Sequence, residues 1–235
     1  MSTVLITGAS RGLGLEFVRA YAADGWKVIA TCRHPEMATD LKRVLGEVLI
    51  REMDVTRVDQ IQAVAREFST QPIDIVINNA GVHGPRDASS TFGNIDMEAW
   101  METMRVNTMG PVKVAEAFLP HLKAGCQKKL VFISSRAGSI AERGSLPHHK
   151  PGGPYIYRSS KAALNAVAKA MGFDLRAEGI SVVVLHPGWV KTETGGWDAP
   201  GDVASSVADM RKIIRDATPA DNGVFRNVDG AVIPW

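Results

Sequence analysis

The sequence predicts an α/β domain built on a doubly wound parallel sheet. Three observations carry this. Short, continuous apolar runs alternate with helical patterns along the chain, and strands without polar alternation are those covered on both faces. The first run empties directly into a glycine-rich turn, "TGASRGLG" (7–14), that opens a helical pattern. No linker rich in Pro, Gly or Ser separates two cores, so residues 1–235 are expected to form a single domain.

The elements follow in order. "TVLIT" (3–7) is a β-branched run and the first strand. "GLGLEFVRAYAADG" has helical spacing and stops at Gly25, a residue suited to a helix C-terminus. "WKVIAT" (26–31) and "EVLI" (47–50) read as the second and third strands. "VDQIQAVAREFS" is an amphipathic helix, followed by "IDIVIN" (73–78), the fourth strand. A long helical stretch covers 96–123, and "KLVFIS" (129–134) is the fifth strand. Residues 157–178 form the next helix, with "ISVVVL" (180–185) as the sixth strand. A helix at 202–216 and a weak strand near 224–233 complete the pattern. The least patterned stretch is 136–156, an irregular loop between a strand and a helix.

Bulk composition excludes several classes. The 235 residues suffice for a large core without disulfide or metal staples. Lys and Arg total 27 against 25 Asp and Glu, too even a balance for nucleic acid or an anionic membrane to be the main partner. The two cysteines, Cys32 and Cys126, lie far apart and are expected as free thiols. "MSTVLITGAS" reads as a strand, not a signal peptide, and no run of about 18 apolar residues exists to span a bilayer. A cytoplasmic location is the resulting expectation.

The turn carries the first functional signal. Gly8, Gly12 and Gly14 are spaced G-x-x-x-G-x-G. Glycines let the backbone turn sharply and approach a pyrophosphate, while the helix N-terminus offers free N–H groups to the anion. An ordinary strand-to-helix turn would also use glycine; its place after the first strand of an alternating pattern favours a dinucleotide. The second strand ends in "IATCRHP". It has no acid to bond a ribose 2′-hydroxyl, and Arg33 stands there instead, with Arg11 inside the turn. Two guanidinium groups suit a 2′-phosphate, so NADP(H) is expected over NAD(H). The competing reading is a pair of solvated surface arginines.

The second signal is "PYIYRSSKAAL" (154–164). A helix turns about 100° per residue. Tyr157, four residues before Lys161, therefore shares its face, whereas Tyr155, six before, is about 120° away and is expected to precede the helix. An ammonium held near a phenol favours the phenolate and lowers its pKa, which suits proton exchange with a carbonyl oxygen near neutral pH. Taken alone, such a pair is more often structural.

Together these motifs resemble the short-chain dehydrogenase/reductase family, classical type, over essentially the whole chain. The residues that carry the resemblance are "TGASRGLG" (7–14), "NNAG" (78–81), the serine in "ISSRAG" (133–138) and "YRSSK" (157–161), in the family's order. "HPGWVKTETGG", "YRSSKAALN" and the end "DGAVIPW" are most similar to the C-factor-like and sniffer-type carbonyl reductase branch. The resemblance implies a Rossmann-type fold with Tyr157 as the acid/base. Lys161 would lower its pKa and bond the nicotinamide ribose. An S-x-x-G match selects Ser135 over Ser134 as the serine that bonds the substrate oxygen. Asn107, in "RVNTMG", resembles the helix asparagine whose backbone bulge holds a relay water. Asn79, Ala80 and Gly81 would wall the adenosine side, and Asp54, with Val55 beside it, would meet the adenine. Ser10 and Leu13 lie in the phosphate turn. In "HPGWVKT" (186–192), Pro187 and Gly188 form the family's PG motif, with Val190 and Thr192 near the carboxamide. One departure stands out: Ser135 and Tyr157 are 157 − 135 = 22 residues apart, more than the family's usual spacing. The extra length falls in the loose loop, where it costs little entropy.

The implied reaction is hydride transfer between NADP(H) and a small carbonyl or alcohol substrate. An NADP(H)-binding regulatory or sensor protein with little turnover is the alternative, since fold alone does not decide function. The intact Ser135, Tyr157 and Lys161 set favours the enzyme, and no separate substrate domain supports a sugar-nucleotide epimerase. No metal is expected, because His148 and His149 lack other ligands at suitable spacing. His83, Trp189 and Trp197 are pocket candidates, the two tryptophans equally candidates for packing. The Met-rich stretch "DMEAWMETMRVNTM" reads as core or interface and Cys32 as a buried structural thiol. The helix at 157–178 is apolar almost all round and is expected to be covered on more than one side; the resemblance, whose members often pair this helix and the one before it across a two-fold axis, implies a homodimer over a monomer.

Overall fold

The computed structural model describes residues 1–144 and 153–235. His148 and His149 lie outside the described residues. The strands are β1 (Thr3–Thr7), β2 (Lys27–Cys32), β3 (Val48–Glu52), β4 (Ile75–Asn78), β5 (Lys129–Ile133), β6 (Ser181–His186) and β7 (Phe225–Asn227). They form one sheet in the order β3-β2-β1-β4-β5-β6-β7, and every pairing is parallel. The helices are α1 (Gly12–Ala23), α2 (Thr39–Lys42), α3 (Val58–Glu67), α4 (Met97–Met104), α5 (Gly110–Ala124), α6 (Tyr155–Asp174) and α7 (Val203–Asp216).

The continuous apolar strands are explained by two cores. Side chains alternate across a strand. Val4 and Ile6 of β1 join Phe17 and Val18 of α1 and Met210 and Ile214 of α7. Leu5, between them, joins Phe118 and Leu122 of α5 and Leu164 of α6 on the other face. β5 repeats the pattern, with Val131 and Ile133 on one side and Leu130 and Phe132 on the other. Each fully buried side chain of this size contributes roughly 1.5–3 kcal/mol relative to exposure. The right-handed crossovers that parallel strands require place the helices on both faces.

The strand order reverses at β1, which lies between β2 and β4. In open α/β sheets such a switch point opens a crevice beyond the carboxyl ends of the strands. β1 ends at Thr7 and β4 at Asn78, so "TGASRGLG" and "NNAG" meet there.

Three local features differ from expectation. Tyr155 is the first residue of α6 rather than a residue before it. The stretch expected as one helix over 96–123 is α4 and α5 joined by a π turn, Arg105–Met109, in which Gly110 N–H reaches back to Arg105 C=O. The last strand is short because the chain reverses at Gly230, with φ of 87°, and Val232 bridges back to Arg226 antiparallel. The one-turn α2 carries too few periodic residues to be read from sequence.

Candidate active site

The glycine turn is built by close approach. Gly8 has φ of 66° and Gly12 of 54°, backbone that favours glycine. A Cβ on Gly14 would lie 2.2 Å from Gly8 C=O and 2.6 Å from Asn79 Nδ2. The turn is tied to the end of β4. Thr7 Oγ1 accepts from the Asn79 and Ala80 amides, each at 3.1 Å, and Asn79 Nδ2 donates to Thr7 C=O at 2.9 Å and Gly8 C=O at 3.1 Å. Asn79 is thus a brace for the turn. The start of α1 receives no side-chain cap from Arg11, which leaves its N–H groups for an anion.

A cleft of about 1400 Å³ runs from this turn past β2, β5, α6 and the segment after β6. It is lined by Gly8, Ser10, Arg11, Gly12, Leu13 and Gly14, by Arg33, Asp54, Val55, Asn79, Ala80 and Gly81, and by Pro187, Gly188, Val190 and Thr192. Every residue expected to touch a dinucleotide therefore faces one groove. Arg33 is exposed at the end of β2. Arg11 is not an independent guanidinium, because its Nη2 lies 2.8 Å from Glu193 Oε2. Asp54 Oδ1 accepts from the Thr56 amide and hydroxyl, both at 2.8 Å.

The other end of the cleft gathers Ser135, Tyr157 and Lys161. The two adjacent serines divide. Ser134 is 3% exposed and donates to Asn165 Oδ1 at 2.6 Å. Ser135 lines the cleft beside Tyr157, and its side chain acts to lower the Tyr157 pKa. Lys161 is buried and its ammonium donates to Ile133 C=O at 3.0 Å. Gly81 lies beside it: a Cβ there would be in ordinary contact with Lys161 Nζ at 3.5 Å and tight against Asn107 Oδ1 at 3.3 Å.

The electrostatics correct one expectation. The Tyr157 pKa is raised, not lowered: burial has the largest effect, opposed by the Ser135 hydrogen bond and the Arg86 charge. Lys161 sits 6.0 Å from the Tyr157 ring centroid, and burial lowers its own pKa to about 8. Desolvation thus pushes the phenol toward staying protonated and the amine toward losing its charge.

Asn107 is fully buried within the π turn. Its Oδ1 accepts from Val82 N–H and its Nδ2 donates to Val82 C=O, both at 2.8 Å, and to Ser160 Oγ at 2.9 Å. The side chain ties β4's continuation to α6. A π turn removes carbonyls from the regular ladder.

Several cleft residues have only weak sequence signals. His83 stacks on Tyr157 with ring centroids 4.6 Å apart and planes at 14°, and burial lowers its pKa. Arg86 Nη2 donates to Glu193 C=O at 3.1 Å and to Thr194 C=O at 2.5 Å, which pins the segment after β6 across the cleft. Trp189 and Trp197 both line the cleft and are 60% and 73% exposed, so neither is a core residue. Cys32 is buried with its pKa raised by desolvation, the state of a structural thiol. Met97, Met101 and Met109 are exposed.

Comparison with known proteins gives concordant matches. The pattern of the family described as short chain dehydrogenase matches residues 2–198. The chain is 39% identical over 175 residues to C-signal of Myxococcus xanthus, covering 74% of this chain and 100% of that protein. The solved NADPH-bound carbonyl reductase from chicken fatty liver superposes with a TM-score of 0.90 at 33% identity, covering 100% of this chain and 99% of that one. The carbonyl reductase Sniffer of D. melanogaster gives 0.88 at 32% identity, with both chains covered at 100%.

Proposed function

Because this chain belongs to the short-chain dehydrogenase/reductase family and is related to its carbonyl reductase and sniffer-type branch, we propose that it is an NADP(H)-dependent oxidoreductase acting on a small carbonyl or alcohol. The observation that carries the proposal is the convergence of Ser135, Tyr157 and Lys161 in the cleft that the glycine turn opens. The turn fits a dinucleotide: it closes tightly, since a side chain on Gly14 would collide with Gly8 C=O and the Asn79 amide, and the first N–H groups of α1 carry no side-chain cap. Gly8, Ser10, Gly12, Leu13 and Gly14 are assigned to the phosphates, and Arg33 with Arg11 to a 2′-phosphate. Asp54 and Val55 are assigned to the adenine side, with Asn79, Ala80 and Gly81 as its wall. Pro187, Gly188, Val190 and Thr192 are assigned to the carboxamide side.

NADP(H), when bound, supplies or accepts the hydride. Tyr157 holds the proton that moves to the carbonyl oxygen in reduction, and burial keeps it protonated until then. Ser135 bonds the same oxygen as negative charge grows on it, which stabilises the transition state more than the ground state. Lys161, held by Ile133 C=O, places a positive charge behind the phenol and a donor toward the ribose. Asn107 fixes the π turn through Val82 and Ser160, where a displaced backbone carbonyl is assigned to hold a relay water. His83, Trp189 and Trp197 line the substrate side.

Two finer readings accompany this one. Exposed Ala166, Ala170 and Phe173 give α6 an apolar outer face, which supports a homodimer; Phe173→Glu is expected to yield monomers by light scattering. Two unpaired cysteines support a reducing, cytoplasmic setting. The principal test is a panel of aldehydes, ketones, quinones and alcohols assayed by NADPH absorbance. Turnover of at least one compound, lost in Tyr157→Phe, is expected; none across the panel contradicts the enzyme and favours a sensor.

A further inference from the structure

We propose that the substrate end of the cleft is an anion site in which Arg158 receives a carboxylate carried by the carbonyl substrate. This deepens the oxidoreductase reading and rests on it. Arg158 follows Tyr157 on α6 and lines the same cleft. Its Nη1 donates to Ala137 C=O at 3.3 Å, and its Nε is buried without a partner. The Ala137 amide in turn donates to Ser135 Oγ at 3.2 Å. The guanidinium therefore stands one residue's peptide groups away from the serine assigned to the reacting oxygen.

No carboxylate neutralises it among the described residues. Along the sequence, no Asp or Glu lies between Glu142 and Asp174. The surrounding charge reinforces this. Arg143 and Arg86 line the same part of the cleft; Arg143 acts on Arg158, and Arg86 acts on both Tyr157 and His83. Two ion pairs stand among the other charged groups that line the cleft: Arg136 with Glu142 at 3.1 Å and Glu102 with Arg105 at 3.7 Å. Burial and the like charge of Arg143 lower the Arg158 pKa. A partly desolvated guanidinium beside another cation is relieved by an anion, and its planar fork matches a carboxylate in two parallel hydrogen bonds. The inferred substrate class is thus an aldehyde or ketone bearing an acid group.

The test compares 4-carboxybenzaldehyde with its methyl ester at saturating NADPH. The acid is expected to be preferred in kcat/KM by about ten-fold or more, expressed mainly in KM, since one charge-assisted contact is worth a factor of this order. In Arg158→Gln the acid-to-ester ratio should fall toward one, and Arg158→Lys should restore part of it. The ratio is read within each variant, so a loss of folded enzyme does not mimic the result. Equal efficiency for acid and ester in the unmodified enzyme, or a preference unchanged in Arg158→Gln, overturns the proposal. Turnover of neither aldehyde contradicts the oxidoreductase reading instead. The anion site is then decided by calorimetric titration of the NADPH-bound protein with benzoate: binding weakened about ten-fold or more in Arg158→Gln supports it, and no binding, or binding unaffected by that change, overturns it.

Discussion

Ser134 and Ser135 are neighbours in sequence, yet their removal should damage different properties. Ser134 donates to Asn165 Oδ1 at 2.6 Å in a buried setting, and Asn165 Nδ2 has no partner. Ser134→Ala therefore leaves the Asn165 amide without either bond. A buried polar group so orphaned costs about 1–3 kcal/mol. For a chain of this size each kcal/mol moves Tm by about 2–4 °C, so a drop of roughly 2–12 °C is expected with little change in kcat. Ser135 is only partly buried and lines the cleft with Tyr157, whose pKa it acts to lower. Ser135→Ala loses the bond that strengthens as charge develops on the substrate oxygen, a loss of about 10²–10³ in kcat. Its cap on the Ala137 amide is typically worth about 1 kcal/mol, so Tm should fall by only about 2–4 °C. Thermal melts and NADPH absorbance on both variants suffice. Reduced turnover in Ser134→Ala, with Ser135→Ala altered only in Tm, would refute the assignment.

Three other outcomes follow from the geometry. Gly14→Ala places a methyl 2.2 Å from Gly8 C=O; overpacking of this kind costs about 1–3 kcal/mol, and NADPH affinity by fluorescence titration should weaken at least about ten-fold, whereas an unchanged Kd would contradict the cradle. Glu193→Gln releases Arg11 from an exposed ion pair worth up to about 1 kcal/mol, so NADPH should bind up to about five-fold tighter and NADH no differently; equal changes for both cofactors would argue against Arg11 at the 2′-phosphate. Lys161 titrates near pH 8 when folded and from 10.5 otherwise, so between those values the unfolded chain holds more protons and stability rises with pH. The urea midpoint of the unmodified protein should therefore gain on that of Lys161→Met as pH is raised from 8 toward 10, and a constant or shrinking gap contradicts this.

The fold was legible because its signals are local. Each strand is an uninterrupted apolar run, and the alternation of strands with helices dictates a parallel sheet covered on two faces. The same holds for Gly8, Gly12 and Gly14, whose spacing reports backbone demands, and for Tyr157 and Lys161, which one helical turn brings together. What stayed hidden depends on distant contacts. The pairing of Arg11 with Glu193 and the hold of Arg86 on the same segment join residues far apart in the chain. The stacking of His83 on Tyr157 has no periodic signature. The Tyr157 pKa differs from expectation for the same reason: the helical spacing exposes the neighbouring ammonium, whereas the burial that raises the pKa is a tertiary property. The π turn is similar, because Asn107 is held by Val82 and Ser160 and not by its own helix.

The phenol at position 157 is the group that exchanges a proton with the substrate oxygen in the proposed reaction. Its most direct measurement is single-turnover reduction by Tyr157→Phe preloaded with NADPH, with cofactor affinity measured on the same sample. The change removes one hydroxyl and keeps the ring that packs against His83. The account predicts a rate lower by about 10²–10⁴ with NADPH affinity within a few-fold of normal. A variant that reduces substrate at close to the unmodified rate would contradict it.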